Sequence, residues 1–531
     1  RGFIFGVCSH SQWKPVEQQE IQAMAASWCG VKVLREDAVW ERMEPRQGQW
    51  NFRFFDSVVE TFGKYGVEVA PIYCYRPDWA VAKDWKPLKP ESSRGKRPDY
   101  GHWANFVGQV ATRYRDTVRY VEVWNEPDLL GYANFPAEEY IEMLKIAHAE
   151  TKKAAPGMTV LTGGFTMMPP FLNIVDPRHM EKTLVQGRGF YDVQAFHVHG
   201  TFEKYRDQVD RLLKFREGLD VKTPWWANET AITSMGAGEY VPAVTLFQKF
   251  IYTWARGAMG YNWFSLCNAG TDPQNGEHNF GLLTKDFQPK AAYPVYNTIA
   301  TYLTEAEYVR DLALGPGIDG FLFKARNGDY ILAIWNNDRN VPMRPVALKG
   351  IAGGAFAVDM FGNEKPLESS DGCVVVDIGL EPSLVRIANP PGEPAACPPP
   401  IEFPSRLTVI PGGANAMRLV VRNPLDQATM ATLALRLPEG IGAPGTTQTR
   451  RLGPGETAEL EFPLDVPSGF RSMGRERREI GVHVALGSRW EGTFACKVDS
   501  AVSIAREEFS AELSIVIEDV AQQTLLAPDA P

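Results

Sequence analysis

Over residues 1–300 the chain alternates short apolar strands with amphipathic helices, and no other feature constrains its fold as tightly. The strand segments are FIFGVCS (3–9), VKVLRED (31–37), VEVAPIYC (67–74), YVEVWNE (120–126), TVLTGG (159–164), DVQAFHVH (192–199), PWWANET (224–230) and MGYNWFSL (259–266). Between them apolar residues recur at helical spacing, as in PVEQQEIQAMAASW (15–28), FRFFDSVVETFGKYG (52–66), PAEEYIEMLKIAHAETKKAA (136–155) and AVTLFQKFIYTWARG (243–257). Eight such strands alternating with helices predict an α/β fold, a (β/α)8 TIM barrel over residues 1–303.

After about residue 305 the pattern changes to short strands separated by Asn-Gly, Asn-Asp and Asp-Gly turns, which predicts a β-sandwich over 304–389 packed on the barrel. NPPGEPAACPPP (389–400) reads as a linker, set at 390–401, because its prolines favour extended chain and remove ladder donors. Residues 402–531 alternate over short stretches, as in GETAELEFPLDVP, and predict an immunoglobulin-like β-sandwich with a frayed tail, LLAPDAP. A chain of 531 residues exceeds one core, so several domains are expected.

Composition narrows the function classes. With 44% hydrophobic and 22% charged residues the chain is globular, and no apolar run approaches the ~18 residues of a membrane span. A net charge of -9 without a long Lys/Arg block argues against nucleic acid as a partner. The seven cysteines form no CxxC pair; Cys8, Cys29, Cys74 and Cys267 read as small buried hydrophobes, while Cys397 and Cys496 are the one pair considered for a disulfide. The abrupt start at Arg1 is consistent with a removed signal peptide or a trimmed chain, so a secreted or periplasmic location is the expectation, with the cytoplasm left open.

RYVEVWNEPD (119–128) places an amide and a carboxylate at the C-terminal lip of the fourth strand. Asn and Asp around Pro also make ordinary turns, so this stretch alone does not decide. WWANET ends the seventh strand with a second carboxylate, Glu229, which faces Glu126 across the mouth of a barrel although the two are far apart in sequence. Two carboxyls facing each other can serve as acid and nucleophile at a glycosidic bond, provided their surroundings keep one protonated and the other ionised.

WNEP and ANET resemble the acid/base and nucleophile signatures of glycoside hydrolase clan A, and VLREDAVWERMEPRQGQWNFRFFD (33–56) is similar to the second-strand region of its members. Within the clan, family 39 is the nearest resemblance, covering about residues 3–385. It implies a retaining double displacement on a β-linked oligo- or polysaccharide, with Glu126 as acid/base, Glu229 as nucleophile, Asn125 on the sugar's 2-hydroxyl and Arg35 beside Glu229. Trp263 is expected to floor the subsite of the reacting sugar or else to pack as a core indole, and Trp124, Tyr73 and His10 join the expected substrate-binding set.

In strand six the chain departs from the common pattern, with His197 followed by His199 where many members have Tyr. His199 is expected to replace that Tyr as donor to the nucleophile and to make activity more sensitive to pH. Two His at i, i+2 are also compatible with a metal, but no third ligand is evident, and no metal or cofactor is expected. Trp13, Arg76, Asp128 and Tyr132 lie in loops that could reach the cleft or serve only as surface loop, Asn268, Asp272 and His278 could reach bound sugar from the loop after strand eight, and Lys83, Lys86, Lys89, Arg94, Lys96 and Arg97 make the 75–102 loop either a basic side of the cleft for an acidic glycan or simply a solvated loop. Two other readings stay open: a catalytically inactive carbohydrate-binding or scaffolding protein on the same fold, and a transglycosylase.

Overall fold

The structure, a computed structural model, describes residues 2–89, 95–166, 174–339, 341, 343–370, 372–404, 406–472 and 478–501. Arg94 of the basic loop and the tail expected to fray lie outside these residues. The barrel strands are β1 (Ile4–Ser9), β2 (Val33–Val39), β3 (Glu68–Cys74), β4 (Tyr120–Val123), β5 (Thr159–Thr162), β6 (Gln194–His199), β7 (Trp225–Ala231) and β8 (Gly260–Phe264). All neighbouring pairs are parallel, and β1 joins the two halves by pairing with both β2 and β8. Beyond Gly163 and Gly164, Phe165–Thr166 continues β5 and pairs with β6, which closes the ring.

Helices α1 (Val16–Cys29), α2 (Arg53–Lys64), α3 (Tyr100–Tyr114), α4 (Ala137–Ala154), α5 (His179–Gln186), α6 (Phe202–Gly218), α7 (Tyr240–Ala255) and α8 (Ala292–Leu303) surround the strands. Asp99 caps α3 by accepting from the Gly101 and His102 amides, and the Thr201 hydroxyl caps α6. Between strands and helices lies the main core, where Trp40, Trp103, Phe106, Tyr140 and Tyr296 are fully buried. A second apolar cluster fills the barrel axis at its N-terminal end: Val33, Ala70, Tyr120, Leu161, Val193, Ala195 and Trp226. Because that end is plugged, the inward polar side chains gather at the opposite, C-terminal mouth.

Two antiparallel sheets follow. A six-stranded one and a four-stranded one share the core of Leu322, Leu332, Ile334, Val346, Leu348, Val374 and Ile387. The segment read as a linker is more structured than expected, since Ala395–Cys397 adds a strand to Met343–Lys349. Farther on, a three-stranded and a five-stranded sheet enclose Met417, Leu419, Leu433, Phe462, Ile480 and Val484. The pairing considered for Cys397 and Cys496 does not form: Cys496 is buried opposite Ile480 in the last core, Cys397 lies on the added strand, and both thiols are free. No helix among the described residues is long and apolar enough to cross a membrane.

Candidate active site

Strand alternation decides which side chains enter the mouth. On β2, Arg35 and Asp37 point inward, while Glu36 between them turns away and accepts the Ser11 amide at 2.8 Å. On β4, Glu122 points inward; on β6, His197 and His199 do. On β7 the register shifts between Ala227 and Thr230, a bulge that lets two consecutive residues face the axis. Asn228 thereby reaches Glu122 at 2.8 Å and Glu229 reaches Arg35 at 2.6 Å.

Arg35 is the centre of this network. Its Nε and Nη2 donate to the two oxygens of Glu122 at 2.6 and 3.0 Å, its Nη1 donates to Glu229, and Nη2 also donates to Asn125 Oδ1 at 2.8 Å. A guanidinium only donates, so it fixes which end of Asn125 it meets and leaves the amide NH2 for another acceptor. Glu122 is saturated: Arg35, Asn228 Nδ2 and the Gly164 amide give it two donors per oxygen. Gly164 has to be glycine for this, because a Cβ there would lie 1.8 Å from His197 Nε2.

Glu126 sits on strained backbone. Both it and Trp124 adopt left-handed φ values, 43° and 70°, a conformation that costs a non-glycine residue about 1–3 kcal/mol. Tyr73 and Tyr132 hold the turn by accepting, through their backbone carbonyls, the Trp124 amide and indole N–H at 3.0 and 2.9 Å. The Glu126 carboxyl, almost wholly buried, shares a hydrogen bond of 3.0 Å with His197 Nδ1.

The two glutamates differ in charge state. Burial, reinforced by the negative charge of Glu229, pushes Glu126 up to about 8, so it holds its proton at neutral pH. Burial would raise Glu229 as well, but the Arg35 guanidinium at 2.6 Å and the hydrogen bond with His199 outweigh it and hold this carboxyl well below the usual range. Arg35 is charged at every working pH. Burial pushes His197 down to about 4, leaving it a neutral hydrogen-bonding ring. His199 Nε2 lies 3.2 Å from Glu229 Oε1, between Phe264 and Phe280. One carboxylate oxygen of each glutamate and a His197 ring nitrogen lie within 4.8 Å of one another. Such a trio can ligate a metal, yet the Arg35 guanidinium already supplies the positive charge there and disfavours a cation.

These groups open into a cleft of about 1230 Å³, larger than the ~300–1,000 Å³ of a typical small-molecule pocket. His10, Trp13, Arg76, Lys96 and Tyr132 line it, together with Tyr75, Lys204, Glu277, Phe264 and Phe280, which the sequence reading did not single out. Trp13 is 58% exposed and backed by Arg42, whose guanidinium lies 4.2 Å from the ring centre.

Three expected aromatic contacts are corrected. Tyr73, Trp124 and Trp263 are fully buried on the outer side of the strands, where they meet helices and loops instead of substrate. Tyr73 packs on Trp103 and Phe106, Trp124 on Trp103 and Phe135, and the Trp263 indole donates to the Phe280 carbonyl. Strand parity gives the inward place on β8 to Phe264. Asp128 is buried under Thr166, Asn268 braces Gly281 and Lys290, and Asp272 and His278 bond to each other within their loop. In the basic loop, Arg97 is buried and paired with Asp84 and Glu139, which leaves it no acidic ligand to meet.

Residues 10–123 match the model of glycoside hydrolase family 42, described as beta-galactosidase. No curated protein sequence matches the chain significantly. Among solved structures, a family 39 glycoside hydrolase from the gut symbiont Bacteroides cellulosilyticus WH2 superposes with a TM-score of 0.61 at 21% identity, covering 73% of this chain and 81% of that one. A family 30 endoxylanase from Clostridium papyrosolvens C71 gives 0.55 at 12% identity over 75% and 97% of the two chains. A monomeric beta-xylosidase from Caulobacter crescentus CB15 gives 0.52 at 14% over 72% and 95%. The chain thus has the fold of these glycoside hydrolases, a TIM barrel followed by β-sandwich sheets, with family 39 enzymes among the structures it resembles.

Proposed function

We propose that the protein is a retaining glycoside hydrolase that cleaves a β-linked oligo- or polysaccharide by double displacement. The observation that carries this reading is the pair Glu126 and Glu229, whose nearest carboxylate oxygens lie within 4.8 Å while their protonation states are opposite. Retaining enzymes hold their carboxyls about 5–5.5 Å apart, and inverting enzymes about 6.5–9.5 Å, leaving room for a water. The β linkage is taken from the resemblance and from the names beta-galactosidase and beta-xylosidase of the proteins it matches.

In the first step Glu229 Oε forms a bond to the anomeric carbon as the glycosidic C–O bond breaks, and the Glu126 proton goes to the departing oxygen. In the second, Glu126, now a carboxylate, takes a proton from water; the water oxygen bonds to the anomeric carbon and Glu229 leaves as a carboxylate. Arg35 stabilises that carboxylate before and after the ester exists, His199 donates to its other oxygen, and Asn125 offers its NH2 to the sugar's 2-hydroxyl. A polymer too large to enter a cell would require the enzyme to act outside the cytoplasm, and a secreted or periplasmic location belongs to this proposal.

The test is dinitrophenol release from a panel of activated β-glycosides by wild type, Glu126→Ala and Glu229→Ala, with and without azide. Glu229→Ala loses on the order of 10⁵-fold in kcat. Glu126→Ala keeps turnover on this good leaving group and with azide yields the β-glycosyl azide. A product of inverted configuration from wild type would overturn the double displacement.

A further inference from the structure

Of the cleft's carboxylates that have no part in the steps above, Asp37 lies deepest among the catalytic groups. Asp37 stands two residues beyond Arg35 on β2, so alternation puts it on the same inward face, one step nearer the mouth. Its side chain is only 13% exposed. The protein nevertheless gives that carboxylate little: the Cys74 thiol bonds to it, and His10 Nε2 stands 3.8 Å away, beyond hydrogen-bond length. Gln12 Nε2 takes the Asp37 backbone carbonyl at 2.6 Å and does not reach the side chain.

An ionised carboxylate accepts about four hydrogen bonds, and buried ones are normally filled. Glu122, on the same mouth, is filled by four donors. Arg76 and Lys96, which also line the cleft, are already engaged by Asp78 at 3.2 and 3.6 Å. Asp37 is therefore a largely covered acceptor that, among the described residues, takes a hydrogen bond from the Cys74 thiol and has spare capacity toward the cavity. His10, beside Asp37, meets the Phe264 ring edge-on at 6.1 Å; Phe264 in turn meets His199, the partner of Glu229, so contact by contact Asp37 lies on the nucleophile's side of the cleft. That side holds the sugar whose anomeric carbon is attacked; the leaving group lies toward Glu126.

Resting on the hydrolase reading, we propose that Asp37, with His10 beside it, accepts hydrogen bonds from two adjacent hydroxyls of the sugar held against Glu229. Since Asn125 is assigned the 2-hydroxyl, the pair is that at carbons 3 and 4. A sugar with both of these free is the terminal residue of a 1,3- or 1,4-linked chain, so the enzyme removes units from the non-reducing end. A glycone whose 3- or 4-hydroxyl carries an anionic substituent such as a sulfate ester is rejected, because two desolvated like charges would meet. Burial raises Asp37 above the ordinary carboxylate range, as it does for a charge that only a bound donor pair would compensate.

The test compares wild type, Asp37→Ala and Asp37→Asn on aryl β-glycosides and their 3-deoxy and 4-deoxy analogues, with calorimetric binding of the methyl glycosides alongside. Asp37→Ala is expected to lower kcat/KM on the full sugar about 10- to 100-fold. On an analogue lacking the contacted hydroxyl, wild type and variant should converge, which a merely structural role would not produce; Asp37→Asn falls between. Wild-type cleavage with an equal loss on every analogue, or with no loss at all, overturns the diol contact and leaves the hydrolase reading standing. If wild type neither cleaves nor binds any member of the panel, the hydrolase reading falls and the diol contact with it.

Discussion

The two sides of the barrel mouth solve opposite problems with different materials. On the Glu229 side a permanent cation, itself fixed by Glu122, and the hydrogen bond from His199 hold a buried negative charge in place. On the Glu126 side the residue stands on strained backbone, with His197 as its hydrogen-bond partner, and burial together with the negative charge of Glu229 keeps its proton on. The first is stabilised by fixed charge, the second chiefly by exclusion of water. Chemically identical side chains are thus driven apart in acidity by their surroundings, and Arg35 is the element that makes the two sides unequal.

Removing that element should break the comparison most severely. Arg35→Met leaves Glu122 and Glu229 buried without their cation, a situation that costs about 3–5 kcal/mol. The expected result is a lower thermal midpoint by calorimetry and a loss of about 10³-fold in kcat, with an acidic limb entering the pH profile as Glu229 rises. Unchanged stability would mean that Glu122 is not held by Arg35. A smaller effect should come from His199, which gives Glu229 one hydrogen bond. His199→Ala is expected to lose about tenfold in kcat/KM, and His199→Gln, which keeps an N–H donor, to recover most of it. Equal losses in both would assign His199 to packing between Phe264 and Phe280.

Much of this was legible in the sequence. The strand-helix alternation located all eight barrel strands, the residues at their C-terminal ends led to Asn125, Glu126 and Glu229, and the family resemblance of residues 33–56 led to Arg35. The aromatic assignments failed for one reason: Tyr73 and Trp263 sit at strand ends, where a shift of one position exchanges cleft for core. Ile72 and Phe264, their neighbours, took the inward places. Glu122 was passed over because VEV reads as a simple two-faced strand, although a carboxylate inside an apolar barrel strand demands a buried partner, and Arg35 on β2 was available. The β7 bulge that turns both Asn228 and Glu229 inward leaves no signature in ANET. By contrast, the C-terminal sheets show plain alternation, as in Thr457–Leu464, where every second residue is buried.

The central claim is that the two glutamates hold opposite protonation states at neutral pH, and carboxyl-¹³C glutamate NMR tests it directly, with signals assigned by their loss in Glu126→Gln and Glu229→Gln. A raised carboxyl is protonated below its pKa and loses the proton as pH rises. The Glu126 signal should therefore shift from acid to carboxylate through about pH 8, with kcat/KM on poor leaving groups falling over the same interval, while Glu229 stays ionised throughout. Two carboxyls both ionised by pH 6, or a proton held on Glu229 with Glu126 ionised, would contradict the account.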